Sequence, residues 1–193
     1  MSSAPRRPSA VLPGVLLVLL ALALAACGGG GGGGGPTEPT PTPPPPPPPP
    51  GIVFTAQGAA GANTLFLANG AATTATNLFL EVRASQMTDL YGVAFDLAYP
   101  SAQLQFTRVT AGPLLSGGAV QAVASAPGTL VVGGTHLGSV PGATGSGVVM
   151  TLEFTAVAAG EGAFTFSRNS ALDSRGDIIR GVSWLAGSVR VTR

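Results

Sequence analysis

The sequence predicts an all-β fold, a sandwich of two packed sheets, over residues 52–193. Two observations predict it: apolar side chains recur at every second residue, and turn-forming residues separate the alternating segments. No segment of this region keeps the apolar period of an amphipathic helix. Because each predicted strand has one apolar face, two sheets that bury these faces against each other form the simplest arrangement.

Nine segments of the chain have strand character. The alternation is clearest in 91–99, where Val93, Phe95 and Leu97 share one face and the small residue Ala94 lies on the other. The side chains of the second face are small and almost uncharged, and such a flat surface suits the docking of another protein. The predicted strands are 64–67, 78–84, 91–99, 104–108, 119–125, 129–133, 148–156, 163–167 and 189–191.

Composition excludes several classes of function. Apart from Arg6, Arg7 and Glu38, seven arginines balance seven acidic residues and there is no lysine, which argues against a nucleic-acid binder. One histidine and one cysteine are too few for most zinc sites or for an internal disulfide. We therefore predict no metal site and no cofactor in this chain.

The N-terminal residues 1–26 are predicted to be a lipoprotein signal peptide. Arg6 and Arg7 precede an apolar run, 15–26, that would span about 18 Å as a helix, too short for a bilayer core of about 30 Å. The run ends in Leu24-Ala25-Ala26-Cys27, which resembles the lipobox of bacterial lipoproteins. The alternative is an ordinary secretory cleavage that leaves an idle thiol.

The lipobox resemblance implies that Cys27 carries the lipid and that the protein is exported and anchored at the bacterial cell envelope. Gly28 follows the cysteine in place of an acid, which favours the outer membrane or the cell surface.

Residues 27–51 are predicted to form a linker. Its run of eight glycines, 28–35, is predicted to act as a swivel, and its eight consecutive prolines, 43–50, as a rod of about 25 Å.

Residues that could support catalysis do not form a catalytic set. His136 lies in a glycine-rich loop without a nucleophile motif, and Glu153 is expected to be solvated rather than coupled to Glu161. Asp173 and Asp177 are expected to cap their own turn, because calcium needs six or more oxygen ligands. We therefore predict that the protein is not an enzyme.

The order and spacing of the motifs resemble a cohesin domain across residues 62–193. Each motif is short, and the resemblance depends on their succession along the chain. It is carried by 78–84, Asp89-Leu90-Tyr91-Gly92-Val93-Ala94-Phe95-Asp96-Leu97-Ala98-Tyr99-Pro100, Gly112-Pro113-Leu114-Leu115, Gly128-Thr129-Leu130-Val131-Val132, 145–154, 162–166, 172–179 and Gly187-Ser188-Val189-Arg190-Val191.

The resemblance implies a nine-stranded jelly-roll β-sandwich that captures a dockerin module of another protein, in a setting of extracellular polysaccharide breakdown. Any calcium would belong to the dockerin partner. It also implies that the contacts lie on one sheet face, formed by the strands near 91–99, 119–125, 129–134 and 163–168. The outward candidates on that face are Ala94, Asp96, Gln121, Val131, Thr165 and Ser167.

Two other functions stay open at this point. A carbohydrate-binding module would attach to polysaccharide directly, with Trp184, the single tryptophan, as its aromatic contact beside Phe79. A structural or adhesive envelope lipoprotein would need no specific ligand. Packing of Trp184 in the core or at a sheet edge is the alternative to a role in sugar binding.

Overall fold

The computed structural model describes residues 49–193, and within them it contains eleven β-strands and one short 3-10 helix. The predicted signal peptide, Cys27 and the linker up to residue 48 lie outside the described residues. The strands are β1 (Gly51–Ala56), β2 (Thr64–Asn69), β3 (Asn77–Leu90), β4 (Gly92–Ala98), β5 (Leu104–Ala111), β6 (Ala119–Ala126), β7 (Thr129–Thr135), β8 (Ala143–Ala156), β9 (Gly160–Leu172), β10 (Ser183–Leu185) and β11 (Gly187–Thr192), and the 3-10 helix is Pro113–Leu115.

The strands form two sheets, which confirms the predicted two-sheet sandwich. One sheet has six strands in the order β1-β11-β9-β4-β7-β6, and the other has five in the order β10-β2-β3-β8-β5. All pairings are antiparallel except that of β10 with β2. Each sheet therefore has an inner face that meets the other sheet and an outer face.

The inner faces follow the alternation in the sequence. Leu78, Leu80 and Val82 of β3 are fully buried, and their neighbours on the other face are partly exposed. On β8, the partners Phe154 and Leu152 lie opposite Leu78 and Leu80 and are buried as well. The apolar rows of adjacent strands thus merge into one continuous core surface.

Aromatic rings join the two sheets at the centre of this core. The ring of Phe154 lies 5.7 Å from that of Phe164 in the opposite sheet, 5.2 Å from Tyr99 and 5.6 Å from Phe106 (centroid distances). A second group near β10 packs Trp184 against Phe95. Edge-to-face contacts of this kind add to the stabilisation that burial alone supplies.

The structure differs from the predicted strand list at several points. It contains two strands that were not predicted, β1 and β10. In β1, Val53 is exposed and Phe54 packs on Phe164, whereas β10 has only three residues and is too short to show a periodic pattern. On β8, the alternation that places Met150, Leu152 and Phe154 inside predicts Val148 inside as well, but Val149 is the fully buried residue. A register shift between the pairs Val82↔Met150 and Arg83↔Val148 breaks the alternation there.

Two absences concern the described residues 49–193. No helix in this range is long and apolar enough to cross a membrane. The same range brings together no group of three or more histidine, cysteine, aspartate or glutamate residues that could hold a metal ion.

Replacing Phe154 by alanine should destabilise the domain severely. The ring is fully buried at the junction of the two sheets, and removal of such a side chain leaves a cavity and costs about 3–5 kcal/mol of unfolding free energy. Chemical denaturation would measure this loss. Val53→Ala, at a residue that is 61% exposed, is the control and should change stability by no more than about 0.5 kcal/mol. Similar small effects of both variants would contradict the central role of Phe154.

Candidate functional site

The candidate site is the outer face of β9, β4, β7 and β6, four adjacent strands of the six-stranded sheet. The register brings the residues predicted from the sequence together on this face. Asp96 lies between Val131 and Ser167, Ala94 lies opposite Gly133, which in turn lies opposite Gln121, and Thr165 lies opposite Ala98. Their participation in partner binding stays a prediction.

Asp96 is on the predicted face but is not an open acid. The residue is only 7% exposed, because the guanidinium of Arg168 lies over its carboxylate. Arg168 Nε donates a hydrogen bond of 2.6 Å to Asp96 Oδ2, and the Nη2 group of Arg168 donates to the same oxygen. The pair neutralises itself at the centre of the face.

Arg168 is a site residue that the sequence analysis missed. It lies at a bulge in β9, where the pairing with β4 shifts between Ala94 and Asp96, and its φ angle of 47° is unusual for a residue other than glycine. Strict alternation does not predict such an insertion. The positive φ turns the backbone locally, and the side chain, 76% exposed, lies against Asp96.

Two valines supply most of the apolar character of the face. Val131 on β7 is 44% exposed and Val123 on β6 is 50% exposed, and the two residues are direct cross-strand partners. Val123 was not among the predicted residues, although it lies two positions after Gln121 and therefore on the same side of the strand. Exposed aliphatic pairs on a sheet are frequent features of binding surfaces.

A shallow groove of about 670 Å³ crosses the face next to these valines. Its floor includes Gly133 and Ala94, and its boundary includes Val123, Val131 and Thr135. A Cβ atom at Gly133 would have only the Val93 carbonyl oxygen nearby, at 3.9 Å. The groove therefore exists because the strand has no side chain at this position.

Loops at one end of the face are tied together by Asp89. Its carboxylate accepts hydrogen bonds from the Gly142 N–H at 2.8 Å, from the Ser174 hydroxyl at 2.8 Å and from the Ser174 N–H at 3.3 Å. The pKa of Asp89 lies below its ordinary value of 3.8, mainly because the Ser174 hydroxyl donates a hydrogen bond to the carboxylate. Desolvation acts in the opposite direction, and the two backbone N–H donors lower the pKa further. One carboxylate thus joins the loop before β8 to the loop after β9.

Asp173 caps its own turn, as predicted. Its Oδ1 atom accepts hydrogen bonds from the Arg175 and Asp177 N–H groups, both at 2.9 Å. The Asp177 N–H is the main cause of a lowered pKa for Asp173, with desolvation acting against it and Arg175 contributing further. This is the geometry of an Asx turn, in which the carboxylate is occupied by the backbone.

The other candidate catalytic residues occupy structural positions. The His136 ring packs 5.6 Å from Tyr91 (centroid distance), and its Nε2 atom is buried without a hydrogen-bond partner among the described residues. The expectation that Glu153 is solvated is wrong: it is 16% exposed and accepts a 2.6 Å bond from Arg108 Nε. Glu161 pairs separately, with Arg190 at 3.2 Å.

Trp184, the candidate sugar contact of the carbohydrate-binding alternative, is partly buried between the sheets. Its ring lies 5.7 Å from Phe95 and 5.2 Å from Phe166, tilted by 58° and 68° to them. These contacts match the packing role that was weighed against sugar binding.

Comparison with known families identifies this arrangement. The family model described as "Cohesin domain" matches residues 55–191, which is most of the chain. The chain belongs to the cohesin family. Cohesin domains are non-catalytic binding modules, which agrees with the prediction that the protein is not an enzyme. No curated protein matches the sequence significantly.

Solved structures of cohesins are similar to this chain in fold. A non-cellulosomal cohesin from Archaeoglobus fulgidus is 17% identical, with a TM-score of 0.53, over 74% of this chain and 92% of the other. The type II cohesin A11 from Bacteroides cellulosolvens is 14% identical, with a TM-score of 0.56, over 69% and 100%. A type II cohesin–X-dockerin complex from Acetivibrio cellulolyticus is 18% identical, with a TM-score of 0.53, over 64% and 93%.

Acid should weaken the clamp that Asp89 makes between the two loops. Because the pKa of Asp89 is lower in the folded protein than in the unfolded chain, the clamp contributes its full stability above the ordinary value of 3.8. This contribution is lost as the pH falls through that value toward the lower pKa of the folded state. Thermal unfolding of the wild type and of Asp89→Asn across acidic pH would measure the difference.

The Asp89→Asn variant should show a weaker decline of melting temperature with acid than the wild type. Ser174→Ala removes the largest cause of the pKa shift and should also reduce the decline. Identical pH dependence in all three proteins would contradict the assignment.

Proposed function

We propose that this cohesin domain captures a dockerin-type module of another protein through the outer face of β9, β4, β7 and β6. The match of the cohesin family to residues 55–191 is the observation that carries the proposal. Similar solved structures include cohesins of Acetivibrio cellulolyticus in complex with dockerins.

The chemistry of the face supports this proposal. Its two exposed valines lie side by side, and its central charges, Asp96 and Arg168, are bonded to each other. Such a surface can bury apolar area against a partner without the cost of stripping water from an unpaired charge.

We further propose that the domain is held at the cell envelope by a lipid on Cys27. The motif Leu24-Ala25-Ala26-Cys27 and the apolar run before it support this assignment, and the glycine and proline segments supply reach. A surface-anchored binding module of this kind would recruit a secreted partner, with a role in polysaccharide breakdown as the setting that the family suggests.

Substituting arginine for Val131 should weaken partner binding. The probes are all the modules with duplicated calcium loops encoded by the same genome, tested singly against the full protein by biolayer interferometry. At least one should bind with a Kd of about 1 μM or below. Val131→Arg should weaken that binding at least about tenfold, because it adds bulk and a net positive charge beside the Asp96–Arg168 pair at the centre of the face.

The matched control is Val53→Arg. Val53 is also an exposed valine of the six-stranded sheet, but it lies on β1 at the far edge, so its variant should bind as the wild type does. If no module binds, the proposal is overturned. If the wild type sediments with insoluble cellulose and Trp184→Ala does not, the carbohydrate-binding alternative would be supported instead.

Replacing Cys27 by serine should release the protein from membranes. The wild type should incorporate labelled palmitate and sediment with the envelope fraction, since acyl chains contribute about 0.8 kcal/mol per buried methylene. The variant should lose both properties. A soluble, unlabelled wild type would contradict lipid anchoring and would leave the alternative of ordinary secretory cleavage.

A further inference from the structure

The strand β6 forms an edge of the six-stranded sheet. It pairs with β7 on one side, and its other side ends the sheet. Which backbone groups lie on that open side follows from the neighbouring pair, because the residues of a strand direct their N–H and C=O groups alternately to its two sides. The Tyr99 N–H donates to the Gly128 carbonyl in the register of β4 with β7. Even-numbered residues of β7 therefore bond to β4, and odd-numbered ones bond to β6.

The same alternation identifies the open groups of β6. Gln121 and Val123 have odd-numbered partners on β7 and bond to that strand. The N–H and C=O groups of Val120, Ala122 and Ala124 therefore point away from the sheet. Within residues 49–193, no backbone hydrogen bond from a turn or loop reaches these three residues. The edge thus presents a row of backbone donors and acceptors that an added strand can use.

The other edges of the sandwich carry features that hinder the addition of a strand. On the opposite edge of the same sheet, β1 has six residues and directly follows Pro49 and Pro50, which have no N–H group. In the other sheet, β10 has three residues, and β5 carries the exposed Arg108 beside a bulge. By contrast, β6 has eight residues without proline or charge, and its one register shift lies near its end. It is the edge that is least protected against strand pairing.

The strand that fits this edge is β6 of a second copy. Open residues have to meet open residues, and an antiparallel pairing with Ala122 opposite Ala122 of the second copy engages all of them. This register places Val120 opposite Ala124 of the second copy, so a larger side chain meets a smaller one. No charged residue enters the contact, and residues 52–193 carry seven arginines and seven acidic residues, so net charge does not keep two copies apart.

We propose that the chain forms a two-fold symmetric dimer in which β6 of one copy pairs antiparallel with β6 of a second copy, making one continuous sheet. Because the pairing consumes the one unprotected edge of each described domain, assembly ends at two copies. The contact uses the edge of the sheet and not its outer face, so it is separate from the proposed capture of a dockerin-type module. Both outer faces of the dimer lie on the same side.

Proline substitutions at the two edges of the sheet test the dimer. Ala122→Pro removes an outward N–H of β6 and leaves the bonds to β7 in place. Ala56→Pro is the matched control on β1: Gln57 bonds to Ala186 of the β11 side, so the N–H of Ala56 also points outward. By sedimentation equilibrium of the full protein in density-matched detergent, the wild type should dimerise with a Kd of about 100 μM or below. Ala122→Pro should weaken dimerisation at least about tenfold, and Ala56→Pro should stay within about twofold.

A second pair of variants repeats the test without proline. Ala124→Lys places a charge on the exposed edge of β6, and Ala56→Lys places the same charge on β1. Only the first should weaken dimerisation, again at least about tenfold. Melting temperatures identify any variant that fails to fold, and the other pair then decides the result.

Disulfide trapping tests the register. Residue 121 of one copy should face residue 123 of the other. Gln121→Cys and Val123→Cys are prepared separately in a Cys27→Ser background, which contains no other cysteine. Their mixture should form a covalent dimer on oxidation. Each variant alone should not, because its two thiols lie on a diagonal of about 7–8 Å, too far for a disulfide.

Three results would overturn the dimer. The first is a wild type that stays monomeric up to about 1 mM. The second is an equal loss of dimer in the β1 and β6 variants of either pair, which would show that β6 has no special part. The third is cross-linking of the single cysteine variants as strong as that of their mixture. None of these results bears on the capture of a dockerin-type module, which is measured with the wild type and separate variants.

Discussion

The contact between the two apolar inner faces, centred on Phe154, is the constraint on which the rest of the structure depends. Phe154 and its neighbours in β3 and β8 are buried against Phe164 of the other sheet. Because these inner residues supply the driving force for folding, the outer positions of β4, β7 and β6 need no bulk of their own. Glycine and alanine can occupy them, as Gly133 and Ala94 do on the floor of the groove.

Because the outer positions do not have to contribute apolar bulk to the core, one of them can carry a charged residue. Asp96 follows the alternation to an outer position, and the bulge in β9 presents Arg168 to cover it. An ion pair with one exposed partner contributes only about 0–1 kcal/mol to stability, so folding does not account for this arrangement. Its larger effect is to remove a bare carboxylate from the centre of a surface that is otherwise neutral.

Strict alternation allowed most of the inner residues to be predicted, whereas the choice of face came from the resemblance to cohesins, and its role in binding stays a prediction. Leu78, Leu80 and Phe154 are buried as expected, and Ala94, Gln121 and Val131 share one face. Alternation fails where a bulge inserts an extra residue into a strand. For this reason Val149 is buried in the core instead of Val148, and Arg168 lies on the face although alternation did not predict it there. Neither bulge carries a local sequence signal that would distinguish it from a regular strand.

The path of the chain into the sheet bears on how the face can be used. The proline segment leads directly into β1, where the Thr192 hydroxyl donates to the Pro49 carbonyl and β1 pairs with the last strand, β11. In the order β1-β11-β9-β4-β7, four strand spacings of about 4.8 Å separate this entry point from Val131, about 19 Å in total. Both ends of the described chain therefore lie at the opposite edge of the sheet from the groove. A partner can cover the groove without displacing β1, the strand into which Pro49 and Pro50 lead.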